Sequence, residues 1–147
     1  MSVEQVARDF IANMTDVEAT KARLTADAMA SGGVLPQPMP ALEAFKIVAG
    51  LTSAFPDLKF DVERVTVNGN QAKVDVQVSG TNTGPLSLPM PGLPEESIPP
   101  TGKKASAKDA FVVTVEGDKV SRLEVDSPTG GGLPVLLSQI GINMPGM

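Results

Sequence analysis

The chain has 147 residues, a formal charge of −5 and a pI near 4.6, and it is 41% hydrophobic but only 3% aromatic. That length suits one domain (residues 1–147) with a real core, built mainly from Val, Leu, Ala, Met and five Phe. Lys103-Lys104 is the only adjacent basic pair, too little for nucleic acid or an anionic membrane surface, and the absence of Cys excludes disulfides and thiolate chemistry.

The N-terminus "MSVEQVARDF" has no apolar signal region, and no apolar run reaches the roughly 20 residues that span a bilayer, so a cytoplasmic protein is expected. Ser2 and Gln5 form a capping box, and Val3, Val6, Phe10 and Met14 recur at helical spacing, which predicts a helix near Ser2–Met14. Thr15 with Glu18 predicts a second helix to Ala28, with Leu24 and Met29 facing inward. Gly and Pro break the pattern over "SGGVLPQPMP". A third helix over Ala41–Ala54 enters through Pro40, lines up Leu42, Phe45, Val48, Leu51 and Phe55, and stops at Pro56.

The hydrophobic period then drops to two. Leu58, Phe60 and Val62 alternate with charged residues, while Val65 and Val67 sit on the other parity, so a bulge is expected near Glu63-Arg64. "NGN" at 68–70 is a hairpin turn, and Ala72, Val74, Val76 and Val78 alternate on the return strand. Residues 85–101 are rich in proline and read as a loop insertion over a cavity mouth, or as a plain surface insertion. A second hairpin turns at Glu116-Gly117-Asp118. "SPTGGG" then links to a short helix with Pro134 near its start and Gly141 past its end. The order predicts an α+β fold: a curved antiparallel sheet wrapped around the N-terminal helices, the third above all, with a short C-terminal helix.

"ALEAFKIVAGLTSAFPDLKFDVERVTVNGNQAKVDVQVSGTNTG", "IPPTGKKAS", "FVVTVEGDKVSRLEVD" and "LPVLLSQIG" together resemble a SnoaL-like polyketide cyclase domain of the nuclear-transport-factor-2-like superfamily. The "FPDL", "GT.TG", "PPTGK" and "LL.Q.G" pieces come in the family's order between Pro40 and Gly141. The resemblance implies a cone-shaped α+β barrel and a homodimer formed through the outer face of the sheet. Function stays open, because this fold hosts cyclases, isomerases, hydratases, epoxide hydrolases and proteins with no known reaction. In cyclases of this type a catalytic aspartate follows a "HW" pair on the last long strand, and a histidine lies on the strand before it. Here those positions fall on Val125, after Leu123-Glu124, and on Phe111; Asp126 is one residue late. The histidine often seen in "GTHTG" is Asn82.

With no His and no Tyr, acid–base work is left to carboxylates and lysines. A carboxylate in an apolar cup is a plausible base, since desolvation raises its pKa. Asp109 is the first catalytic candidate. On an ideal strand it shares a face with Ala107, Phe111, Val113 and Val115; a strand starting later leaves it solvated. Asp126 is the second, for its nearness to the family position, although its face carries Arg122 and Glu124. Phe45, Phe111, Val113, Asn82 and Met90 are the expected pocket residues. No metal or cofactor is expected, and the expected partner is an apolar small molecule. Three functions compete: a carboxylate-base enzyme, a binder without chemistry, and an assembly protein whose cup is filled by side chains. A buried carboxylate facing an apolar cavity favours the first.

Overall fold

Ser2 caps α1 (Val3–Ala12), its Oγ accepting the Gln5 N–H at 3.1 Å. Gln5 reaches forward to Asp9 at 3.1 Å rather than back to Ser2, so half of the expected capping box forms. The computed structural model describes residues 2–32, 37–86, 99–127 and 131–141. Val6, Ala7, Phe10 and Ile11 make one buried stripe on α1, which packs against four strands of the sheet.

The second helix is much shorter than its expected extent to Ala28. α2 covers Val17–Lys21 and is capped by Asp16, not Thr15. Leu24–Gly32 is a strand, β1, with Ala28 and Ala30 buried in alternation. Leu24 faces inward as expected, but Met29 is 38% exposed. Alanine gives this stretch a helical preference, and pairing with a neighbouring strand overrides it, because local propensity is worth only tenths of a kcal/mol per residue.

β2 (Met39–Pro40) precedes α3 (Ala41–Ala54), which has its expected bounds. Then come β3 (Lys59–Asn68), β4 (Gln71–Thr81), β5 (Lys104–Glu116), β6 (Lys119–Val125) and α4 (Leu133–Ser138). The six strands form one sheet in the order β2-β1-β6-β5-β4-β3. Four of the five strand pairings are antiparallel as expected; the pairing of β1 with β6 is parallel, so the sheet is mixed. The bulge falls between Val62 and Arg64, and Gly69 (φ 65°) makes the hairpin turn. The helix that the sheet wraps is α1, against β3 to β6, whereas α3 packs on β1 and β2. Phe10 and Phe45 join the two helices with ring centroids 6.1 Å apart. Among the described residues no helix is long and apolar enough to cross a membrane.

Three of the quoted motifs meet at one junction. Asp57 of "FPDL" accepts the Thr81 N–H at 2.7 Å and its hydroxyl at 3.0 Å. Those bonds hold the Asp57 carboxyl below its ordinary range. Asn82 of "GTNTG" bonds Thr101 of "PPTG". Gly84 donates to Ala54 O at 3.2 Å, and a Cβ placed on it would run into the Ser53 carbonyl oxygen. Gly84→Ala is therefore expected to cost about 1–3 kcal/mol. The readout is a lower urea midpoint with an unchanged slope; an unaltered midpoint would mean that the junction yields.

α4 is fixed to the sheet by mimicry of a strand. Gln139 accepts the Ser106 N–H at 2.8 Å and donates to Ser106 O at 2.7 Å. β6 does not extend that far along β5, so the amide completes the ladder there. The Gly132 N–H adds a bond to Lys108 O at 2.7 Å.

Candidate active site

The concave side of the sheet does not close completely on the helices. A cavity of about 110 Å³ remains between α3, the central strands and α4. Ala44, Phe45, Val48 and Leu51 of α3 form one wall, and Phe60 and Val78 of the β3–β4 hairpin another. Ala107, Asp109 and Phe111 alternate along β5 as the floor, beside Leu123 and Val125 of β6. Leu136 of α4 covers one end. Of the described lining side chains, only Asp109 and Ser127 carry polar atoms.

Asp109 lies inside β5, not ahead of it, and is 9% exposed. Its Oδ1 accepts the Ser127 hydroxyl at 2.8 Å and the Ala110 N–H at 2.8 Å. Burial raises its pKa above the ordinary value, and Asp126 repels the charge further. The two hydrogen bonds work against that rise. Such a carboxyl holds its proton more readily than one in water and becomes a stronger base once ionised.

The other expected residues divide. Phe111 and Phe45 line the cavity. Val113, on the same strand face, is fully buried in the core and is not among the lining residues. Asn82 is buried too, but away from the cavity, where its amide donates to Ala54 O and Gly84 O and accepts from Thr101. Met90 lies outside the described residues, as do 87–98 of the proline-rich loop. Asp126 points to the outer face, where its carboxylate is 60% exposed and 3.7 Å from Lys73 Nζ. Register explains this: Val125 pairs with Phe111 facing the cavity, so the next residue must face outward. Val125 and Phe111, the two positions to which the resemblance assigns an aspartate and a histidine, both line the cavity and both are apolar.

Ser127 is the site residue that the sequence reading passed over. It stands two residues beyond Val125, so strand parity alone returns it to the cavity side. Among the described residues no three acidic side chains gather where they could hold a metal ion.

Fold and site together define a cone-shaped α+β protein with one carboxylate in an apolar pocket. The SnoaL-like polyketide cyclase family model matches residues 2–123, and the chain belongs to that family. No curated protein sequence matches it. IdmH of Streptomyces antibioticus, a candidate polyketide cyclase, superposes with a TM-score of 0.72 at 14% identity, over 97% of this chain and 100% of that one. AclR of Streptomyces galilaeus, a candidate hydroxylase, gives 0.73 at 16% identity, over 95% and 80%. A protein of ketosteroid-isomerase-like fold from Catenulispora acidiphila, solved with trimethylamine, gives 0.66 at 13% identity, over 93% and 92%. At these identities the likeness is one of fold.

Proposed function

We propose that the chain is a cytoplasmic enzyme of the cyclase, isomerase or hydratase kind, in which Asp109 is the general base toward an apolar carbonyl compound. The observation that carries this reading is the lone carboxylate, with raised pKa, buried in an otherwise apolar cavity. Family membership and a polyketide-cyclase neighbour agree with it. An engineered apolar cavity of ~150 Å³ takes benzene, so this pocket suits a body of roughly that size. The chain has no Tyr or His to steady an oxyanion, which favours ligands that spread their own negative charge. Pentane-2,4-dione meets both conditions and serves as a probe. Its carbon-bound hydrogens should exchange in D2O faster with the wild type than in buffer, as followed by proton NMR. Exchange at the buffer rate would refute the assignment of Asp109 as a base.

The second reading is a binder on the same fold. It is favoured by Phe111 and Val125, which occupy the family's catalytic positions with carbon. An inert wild type whose melting temperature rises with apolar ligands would select it.

We also propose a homodimer joined through the outer face of the sheet. Lys73, Asp75, Gln77 and Ser79 of β4 alternate with its buried valines and point that way. Light scattering at tens of micromolar should give twice the 15.2 kDa chain mass. A monomer mass would contradict this.

A further inference from the structure

We propose that Ser127 is the positioning residue for Asp109: with the Ala110 N–H, its hydroxyl ties down Oδ1 and leaves Oδ2 as the oxygen that meets a bound molecule. The inference rests on Asp109 acting as a base, and it adds which atom acts and which residue aims it. Both donors lie 2.8 Å from Oδ1. Among the described residues nothing donates to Oδ2. Oδ2 is also not an unpartnered atom sealed in the core, because the described residues hold no buried side-chain oxygen without a partner.

A carboxylate with symmetric surroundings turns about its last bond and offers either oxygen. Two donors on one oxygen remove that freedom and fix the lone pairs of the other. The Ala110 donor is the backbone of the next residue and cannot be chosen by the sequence. Ser127 can be, and it comes from the segment that follows β6, so it fixes the carboxylate relative to the cavity wall. In the proton transfer, a hydrogen leaves the ligand carbon for Oδ2. The C–H electron pair moves into the ligand as an enolate, with the charge on its carbonyl oxygen. Oδ1 keeps both hydrogen bonds throughout, and Oδ2 returns the proton to the product.

The charged groups on surrounding elements leave this role to Ser127. Asp126 beyond β6 only repels the charge. Lys73 of β4 pairs with Asp126, Lys59 of β3 with Asp61, Lys46 of α3 with Glu43, and Arg8 of α1 with Glu4, all at the surface. Lys108 is exposed on the opposite face of β5.

The test is a carboxyl-carbon NMR titration of protein labelled at aspartate, the Asp109 signal being assigned by its loss in Asp109→Asn. Ser127→Ala should move the Asp109 midpoint to higher pH, and Ser127→Thr should bring it back. The acid limb of pentane-2,4-dione exchange should move with it, by about tenfold in rate for each pH unit at a fixed pH below the limb. The loss should fall on kcat more than on KM. A Ser127→Ala midpoint equal to that of the wild type would overturn the proposal, because a packing role leaves titration unmoved. A wild type inert toward the dione would sink the base reading instead, and the titration would still decide the hold of Ser127 on Asp109.

Discussion

Asp109→Asn is expected to stop exchange of the dione while leaving its binding nearly intact. The amide fills the same space and can still accept from Ser127 and Ala110, so the cavity keeps its shape. What goes is the basic lone pair, and a positioned acid–base group commonly supplies about 10²–10⁴-fold in rate. In the wild type, the rate should climb as pH rises through the raised pKa, because only the ionised form accepts a proton. Stability should move the other way. A carboxyl with a raised pKa binds its proton more tightly folded than unfolded, so the wild type loses stability as pH rises from the ordinary value of 3.8 to the folded one. Asn carries no charge to desolvate. The variant should therefore melt higher than the wild type at pH 7 and show no such gain near pH 3. Each ~1 kcal/mol recovered raises Tm by roughly 2–4 °C at this size. Full exchange activity in Asp109→Asn would remove the assignment, with Asp126→Asn as the matched exposed control.

The second large effect is structural. Asn82→Ala should destabilise the fold by about 2 kcal/mol or more while leaving the pocket chemistry of the folded fraction unchanged. Asn82 is 1% exposed and fully bonded: its Nδ2 donates to Ala54 O at 3.2 Å and Gly84 O at 3.0 Å, and its Oδ1 accepts from Thr101 N at 2.8 Å and Thr101 Oγ1 at 3.0 Å. Alanine leaves the Gly84 carbonyl and the Thr101 N–H without partners, while Ala54 O keeps its bond from the Gly84 N–H, and each buried orphan costs about 1–3 kcal/mol. Asn82→Asp should fail as well, since it sets an acceptor against two carbonyl oxygens. Urea unfolding measures the loss. A normal midpoint combined with altered dione binding would mean that Asn82 belongs to the pocket after all.

The contrast between these two residues marks what was legible in the chain. Period-two alternation placed Asp109 on the face of Phe111, and that reading needed only strand parity. The hairpin at Gly69, the bulge after Val62 and the bounds of α3 were local signals as well, carried by turn residues, phase shifts and flanking prolines. β1 was not legible. Its alanines favour helix locally, and its partner, β6, lies almost a hundred residues on, so only the folded chain supplies the pairing. Asn82 departs from its expected pocket place for a related reason: the resemblance sets "GTNTG" where a histidine is expected, but here it closes a junction with "FPDL" and "PPTG". The ordered motifs therefore report how the fold is tied together more than what it does. Ser127 was hidden by the end of its strand, where alternation has too few residues left to be noticed.

The central claim is that Asp109 is a perturbed carboxylate inside a ligand-accepting cavity. One measurement bears on it most directly: the carboxyl-carbon titration of Asp109 in the wild type, with and without a saturating apolar ketone such as cyclohexanone. The account predicts a midpoint above the ordinary aspartate value of 3.8 and a resonance that shifts when the ketone is added. A signal that titrates at the ordinary value and ignores the ketone would contradict it.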